Sequence, residues 1–157
     1  MGMKVTESSE RRVLSMLGRF RMDLDEAVTG AFSDIGSYVT DRIRSGEMSS
    51  WSDSSGALRS SVGYAVCRKG RIVSRSGFQT VGGGSEGSAS GQELISTLAS
   101  RYSGYPFALL IVAGMEYAVY VEALDNRVVL AEGQLYVEKN ITRALQGRID
   151  EVLRKYK

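Results

Sequence analysis

The stretch VGYAVCRKGRIVSRSGF, Val62 to Phe78, decides the fold. Val62, Tyr64 and Val66 alternate with Gly63, Ala65 and Cys67, the period of two that a β-strand imposes on its side chains. The four residues that follow, Arg68 to Arg71, carry turn chemistry, because Gly70 can take a positive φ without a Cβ to clash. Ile72, Val73 and Phe78 then place a second strand, and a turn this short makes the two strands antiparallel neighbours. A hairpin in mid-chain, flanked on both sides by helical periodicity, predicts an α+β fold.

Upstream, apolar residues recur at Val13, Leu17, Phe20, Leu24, Val28, Phe32, Ile35, Val39 and Ile43, each three or four after the last. That is one stripe of a helix. Unbroken, it runs for about 45 Å at 1.5 Å per residue, longer than a domain of this size is wide, so part of it is expected to bend or to reach a neighbouring chain. Gly30 and Gly36 are its expected weak points, Ser45-Gly46 its stop, and two shorter helices packed on each other are the alternative.

Downstream, VGGGSEGSASG, Val81 to Gly91, has the composition of a flexible surface loop. A helix is expected over 92–102, with Leu94, Ile95 and Leu98 on one side, ended by Ser103, Gly104 and Pro106. FALLIVAGM, 107–115, is short, continuous and apolar enough for a buried strand. Tyr117, Tyr120, Val121 and Leu124 fit helical spacing slightly better than strand alternation, and 132–157 predicts a final helix. The expected architecture is a single α+β domain over 1–157. It comprises an N-terminal helical arm (1–46), a small, mainly antiparallel sheet region (51–130) with a flexible loop at 81–91, and a C-terminal helix (131–157) packed with the others.

Composition narrows the chemistry. With 157 residues, 43% hydrophobic and 24% charged, the chain has the make-up of a folded globular protein, and its net charge of +2 argues for neither a nucleic-acid nor a membrane partner. No run of about 18 apolar residues occurs, so no membrane span is expected, and the N-terminal residues lack the apolar core of a signal peptide. One cysteine, Cys67, precludes an intramolecular disulfide. The absence of histidine removes Ser-His and Cys-His nucleophile activation and His-containing zinc sites.

What remains is sparse. Glu116 and Glu122, six apart, lie about 240° apart on a helix and so do not face one substrate as a carboxylate pair must. Gly82, Gly84 and Gly87 form a literal G-x-G-x-x-G, but no acidic residue follows at the distance a dinucleotide fold requires, and the preceding strand belongs to a hairpin. Cys67 beside Arg68 and Lys69 is better explained as a small hydrophobe on a strand than as a reactive thiol. Arg68, Lys69, Arg71 and Arg75 make the hairpin basic, and a phosphate-binding ribbon is the alternative to a solvated tip. No carboxylate cluster suggests a metal, and no cofactor is expected.

Two pieces of the chain resemble signatures of the small tail-component proteins of long-tailed bacteriophages, also called tail-completion, head-tail joining or minor capsid proteins. WSDSSGALRSSVGYAV, from Trp51, is similar to that family's W-x-x-x-[ST]-G-x-L-R-x-S-[IV] entry into its sheet, and VAGMEYAVYVEAL, from Val112, to its strand followed by x-x-Y-A-x-Y-V-E. After Glu122 the chain departs from the family, with ALDNRVVLAEGQL in place of a Gly-Thr turn and a Pro-Phe segment. The resemblance implies a non-enzymatic virion protein at the head-tail junction or tail terminus, assembled in the host cytoplasm as a ring (a hexamer or dodecamer). Portal, adaptor or tail-tube proteins would be its partners, with passive DNA contact in the lumen. It marks Trp51, Gly56, Leu58, Arg59, Tyr117, Tyr120, Val121 and Glu122 as structural or interface residues, with Arg59 expected to pair with Glu122.

Overall fold

A computed structural model describes residues 6–49, 55–115 and 130–157. Strands β1 (Val62–Arg68) and β2 (Arg71–Gly77) form the expected hairpin, closed by Lys69 and Gly70 at φ 49° and 78°. Two consecutive positive φ values are the mark of a type I′ turn, whose twist matches that of the strands it joins. Pairing runs from Arg68↔Arg71 to Gly63↔Gly77 and slips by one residue between Val66 and Cys67. Val66 faces Ser74 and Cys67 faces Ile72, so Val73 is the extra residue of a bulge and is exposed. Strand β3 (Phe107–Ala113) pairs antiparallel with the other side of β1, giving the order β2-β1-β3.

Helices cover both faces of this sheet, which is why β1 is buried along its length up to Arg68. One layer is α1 (Glu7–Ser45), which lies on the side of Val62 and Tyr64, antiparallel to α4 (Ala131–Lys155). Ile35, Val39 and Ile43 of α1 meet Val62 of β1, Leu109 and Ile111 of β3, and Tyr136, Val137 and Ile141 of α4. The opposite layer is α3 (Ser85–Arg101), whose Ile95 and Ala99 pack on Ala65, Cys67, Leu110 and Val112. A single turn, α2 (Ala57–Ser60), lies against α3.

Helix α1 is continuous over 39 residues, about 58 Å, so the two-helix alternative does not hold. Thr6 caps its start by accepting the Ser9 N–H, and Gly46, at φ 89°, closes its end. The expected weak points are contact sites instead. The Tyr64 ring lies where a Cβ on Gly36 would be, 2.5 Å away, and the Arg148 guanidinium covers Gly30 at 3.2 Å. Packing at these two positions offsets the helix penalty of glycine.

A second correction concerns 81–91. Helix α3 begins at Ser85, seven residues before the expected start, so the glycine-rich segment is mostly helical. Gly84, Gly87 and Gly91 form one stripe of it, at the three- and four-residue spacing of a helix face. A Cβ on Gly84 would lie 2.4 Å from the Gly56 carbonyl oxygen, on Gly87 1.8 Å from that of Ala57, and on Gly91 2.4 Å from that of Ser61. These glycines let α3 approach the backbone of α2 and the start of β1, an approach any side chain would block.

Candidate functional site

The residues singled out by the phage-like motifs divide in two. Trp51, Tyr117, Tyr120, Val121 and Glu122 lie outside the described residues, as do Glu116 and the expected Arg59–Glu122 pair. Gly56, Leu58 and Arg59 are described, and the first two have packing roles. Gly56 takes φ 74° with a Cβ position only 2.0 Å from the Val81 carbonyl oxygen, and Leu58 is buried against Ala113, Met115 and Leu130. Arg59 is half-buried on α2.

Around this turn runs a buried polar seam. Ser60 accepts the Val81 N–H at 2.8 Å, Ser61 donates its hydroxyl to the Leu58 carbonyl at 2.7 Å, and the Ser61 carbonyl accepts the Gly114 N–H at 3.1 Å. Arg44, at the end of α1, donates to the carbonyls of Val62 (3.3 Å) and Gln79 (2.9 Å). Burial lowers the pKa of Arg44, Asp41 opposes that shift and Arg59 adds to it, yet arginine keeps its proton in such a setting. Phe78, at φ 57°, is held by its N–H to Val62 and by Ser88, which donates to its carbonyl; its ring fills the space left by Gly63 and Gly91. The seam joins α1, α2, α3 and the hairpin, and the side chains of Arg44, Ser60, Ser61 and Ser88 are spent on backbone groups.

Of the sequence's chemical candidates, Cys67, the glycine motif and the hairpin cations lie among the described residues. Cys67 is buried, and burial pushes its thiol pKa up, away from the thiolate a nucleophile needs. Among the described residues, no group of three or more His, Cys, Asp and Glu side chains could hold a metal ion. The glycine motif is engaged in helix packing, and the sheet beside it is antiparallel, without the crossover of a dinucleotide site. At the hairpin, Arg68 pairs with Asp25 and approaches the Phe107 ring at 6.0 Å, leaving Lys69 in the turn and Arg71 and Arg75 along β2 exposed.

The surface with the most to offer is the far end of α1. Helix α4 accompanies it as far as Tyr156, whose ring meets Phe20 edge-on at 5.0 Å and whose hydroxyl donates to Asp23 at 3.1 Å. Beyond that point residues 7–19 continue for about 20 Å, every one of them exposed. The apolar stripe does not stop with the packing: Val13, Phe20 and Ala27 are seven apart, as are Leu17, Leu24 and Ala31, and the two alanines are buried in the body of the protein. Val13, Leu14, Met16 and Leu17 are instead 50–60% exposed. Beside them lies a groove of about 870 Å³ between the arm and the end of α4, lined by Val13, Met16 and Tyr156 and by Arg11, Arg12, Arg19, Lys155 and Lys157.

The composition signals of this surface were legible as an overlong stripe, but the cations contributed by 155–157 become its neighbours only through the antiparallel pairing of the two helices. No helix among the described residues is long and apolar enough to cross a membrane. No family model, no curated protein and no solved structure matches the chain.

Proposed function

We propose that this protein is a non-enzymatic virion component of a long-tailed bacteriophage, placed at the head-tail junction or tail terminus, where it assembles as a ring and joins or completes the tail. The observation that carries assembly is the projecting end of α1, whose core-type stripe continues, exposed, past Phe20, where Tyr156 packs against it. Apolar side chains in such a row gain roughly 25 cal/mol for each Å² removed from water, so a preformed helix presenting them is suited to contact between chains. The phage assignment itself rests on the resemblance of the stretches from Trp51 and Val112 to the tail-component motifs. A ring needs contacts that recur head to tail and close at one rotation, and an arm projecting about 20 Å can supply one half of each contact.

Light scattering on the purified protein, with electron microscopy and mass spectrometry of particles, tests this. Ring-shaped oligomers, or a fixed copy number at the neck or tail end, are expected. A chain that stays monomeric and is absent from particles refutes it.

A further inference from the structure

We propose that the groove between the arm of α1 and the end of α4 receives an acidic amphipathic helix of a partner protein. The inference rests on the assembly reading and assigns the groove side of the arm, Val13 and Met16, to a partner protein, leaving Leu14 and Leu17, exposed and outside the groove's lining, for contact between copies. Its lining joins two chemistries. Val13 and Met16 present an apolar floor, and Arg11, Arg12, Arg19, Lys155 and Lys157 surround it, with no Asp or Glu side chain among the described residues of the lining. Lys155 lies 3.6 Å from Asp23, and Arg11 pairs with Glu7 at 3.2 Å. Among the described residues, Arg12, Arg19 and Lys157 have no ion-pair partner.

The occupant follows from that combination. The floor lies where the Val13–Phe20–Ala27 row leaves the cover of α4, so the shape that continues the existing packing is another helix laid along α1. Its apolar residues, three and four apart, would meet Val13 and Met16, and Asp or Glu on its flanks would meet the cations. A second copy of this arm suits the groove poorly. It would bring Arg11, Arg12, Arg19 and Arg21 toward the same charges, against Glu7 and Glu10, of which Glu7 is already paired. Nucleic-acid phosphates would satisfy the cations and leave Val13 and Met16 in water.

The test is a selection on the full-length chain from displayed peptides of about four helical turns. Clones that also bind the Arg12→Glu/Arg19→Glu variant are discarded. Both arginines are exposed, so the variant is expected to keep the wild-type circular dichroism, which is checked first. The expected winners carry apolar residues at spacings of three and four flanked by Asp and Glu. As synthetic peptides they should lose about tenfold or more in affinity for the double variant and for Met16→Glu. They should keep their affinity for Arg143→Glu, a charge reversal on an exposed position of α4.

Winners that are neutral or basic overturn the proposal, as does a failure to enrich any clone over the double variant. So does displacement of the winners by duplex DNA or by phosphatidylserine vesicles at lower concentration than by free peptide. A chain that forms rings but selects no acidic helix keeps the assembly function and loses this partner. One that selects acidic helices yet is absent from particles does the reverse.

Discussion

Replacing Gly87 by alanine sets two physical effects against each other. In a mobile glycine-rich loop the change would be harmless, and in an unobstructed helix it would stabilise by roughly 1 kcal/mol, because alanine loses less backbone entropy. Here the new methyl would sit 1.8 Å from the Ala57 carbonyl oxygen, whereas real Cβ atoms essentially never come within 3.0 Å of such an atom. Helices α2 and α3 must therefore separate by at least about 1.2 Å, and the obstacle is backbone, which cannot swing aside as a long side chain would. Overpacking of this kind typically costs about 1–3 kcal/mol, and retreat of α2 also loosens the buried Leu58, so a net loss of about 2 kcal/mol is expected. Urea unfolding followed by circular dichroism measures it. Gly147→Ala is the internal control: it lies within α4 with nothing inside 4 Å of its Cβ position, and should stabilise by about 0.5–1 kcal/mol. A Gly87→Ala protein as stable as the wild type would refute the packing argument for α3.

Phe78→Ala should cost about 3–5 kcal/mol in the same assay, since the ring fills the space beside both Gly63 and Gly91; a loss under 1 kcal/mol would contradict its placement. Burial raises the Cys67 pKa, so the folded state keeps that proton to higher pH than the unfolded chain. Its contribution is intact below the ordinary thiol value, near pH 9, and is lost as pH rises through the folded value; Cys67→Ala should flatten this alkaline decline in a pH series of unfolding curves. If the hairpin were instead a nucleic-acid ribbon, three phosphate contacts by Lys69, Arg71 and Arg75 would give a log–log salt slope of about −2.7 with duplex DNA. The proposed assembly function needs no such binding at physiological salt, and a slope abolished by alanine at those three positions would favour the ribbon.

The hairpin and α1 were legible because each is specified locally. A turn with Gly70 at its second central position, and a stripe spaced by three and four, need no tertiary information to be recognised. The position of β1 between β2 and β3 was not, since no local signal says on which side of a hairpin a later strand will pair. The start of α3 was misread for a different reason. Gly84, Gly87, Gly91, Ile95 and Ala99 do carry helical spacing, but glycine composition alone indicates a linker, and only the neighbouring backbone turns absent side chains into contact area. Arg44 shows the limit for single residues. An arginine in the last turn of a helix normally answers the helix dipole from the surface, and nothing in its sequence context marks it as a buried donor to Val62 and Gln79. Of the motif residues, Gly56 and Leu58 are packing residues of a turn, a role set by the neighbouring backbone of Val81 and the side chains of Ala113, Met115 and Leu130.

The exposed end of α1 raises a question of stability, since about three and a half turns of isolated helix would be marginal in water. That limit comes from nucleation, and here the nucleus lies in the packed part of the same helix, so each further turn needs only propagation. Thr6 supports the process by capping the first turn, with Glu7 and Glu10 placed where the helix dipole favours negative charge. A partner would therefore meet an arm already ordered, and binding would not bear the entropy of folding it. Interrupting propagation while keeping every side chain that lines the groove tests this. Proline at Gly18, whose Cβ position has nothing within 4 Å, should break the helix within the arm, between Met16 and Arg19. Partner affinity should then fall although Val13, Met16, Arg12 and Arg19 are all still present. Unchanged affinity would mean that the contact does not depend on a preformed helix.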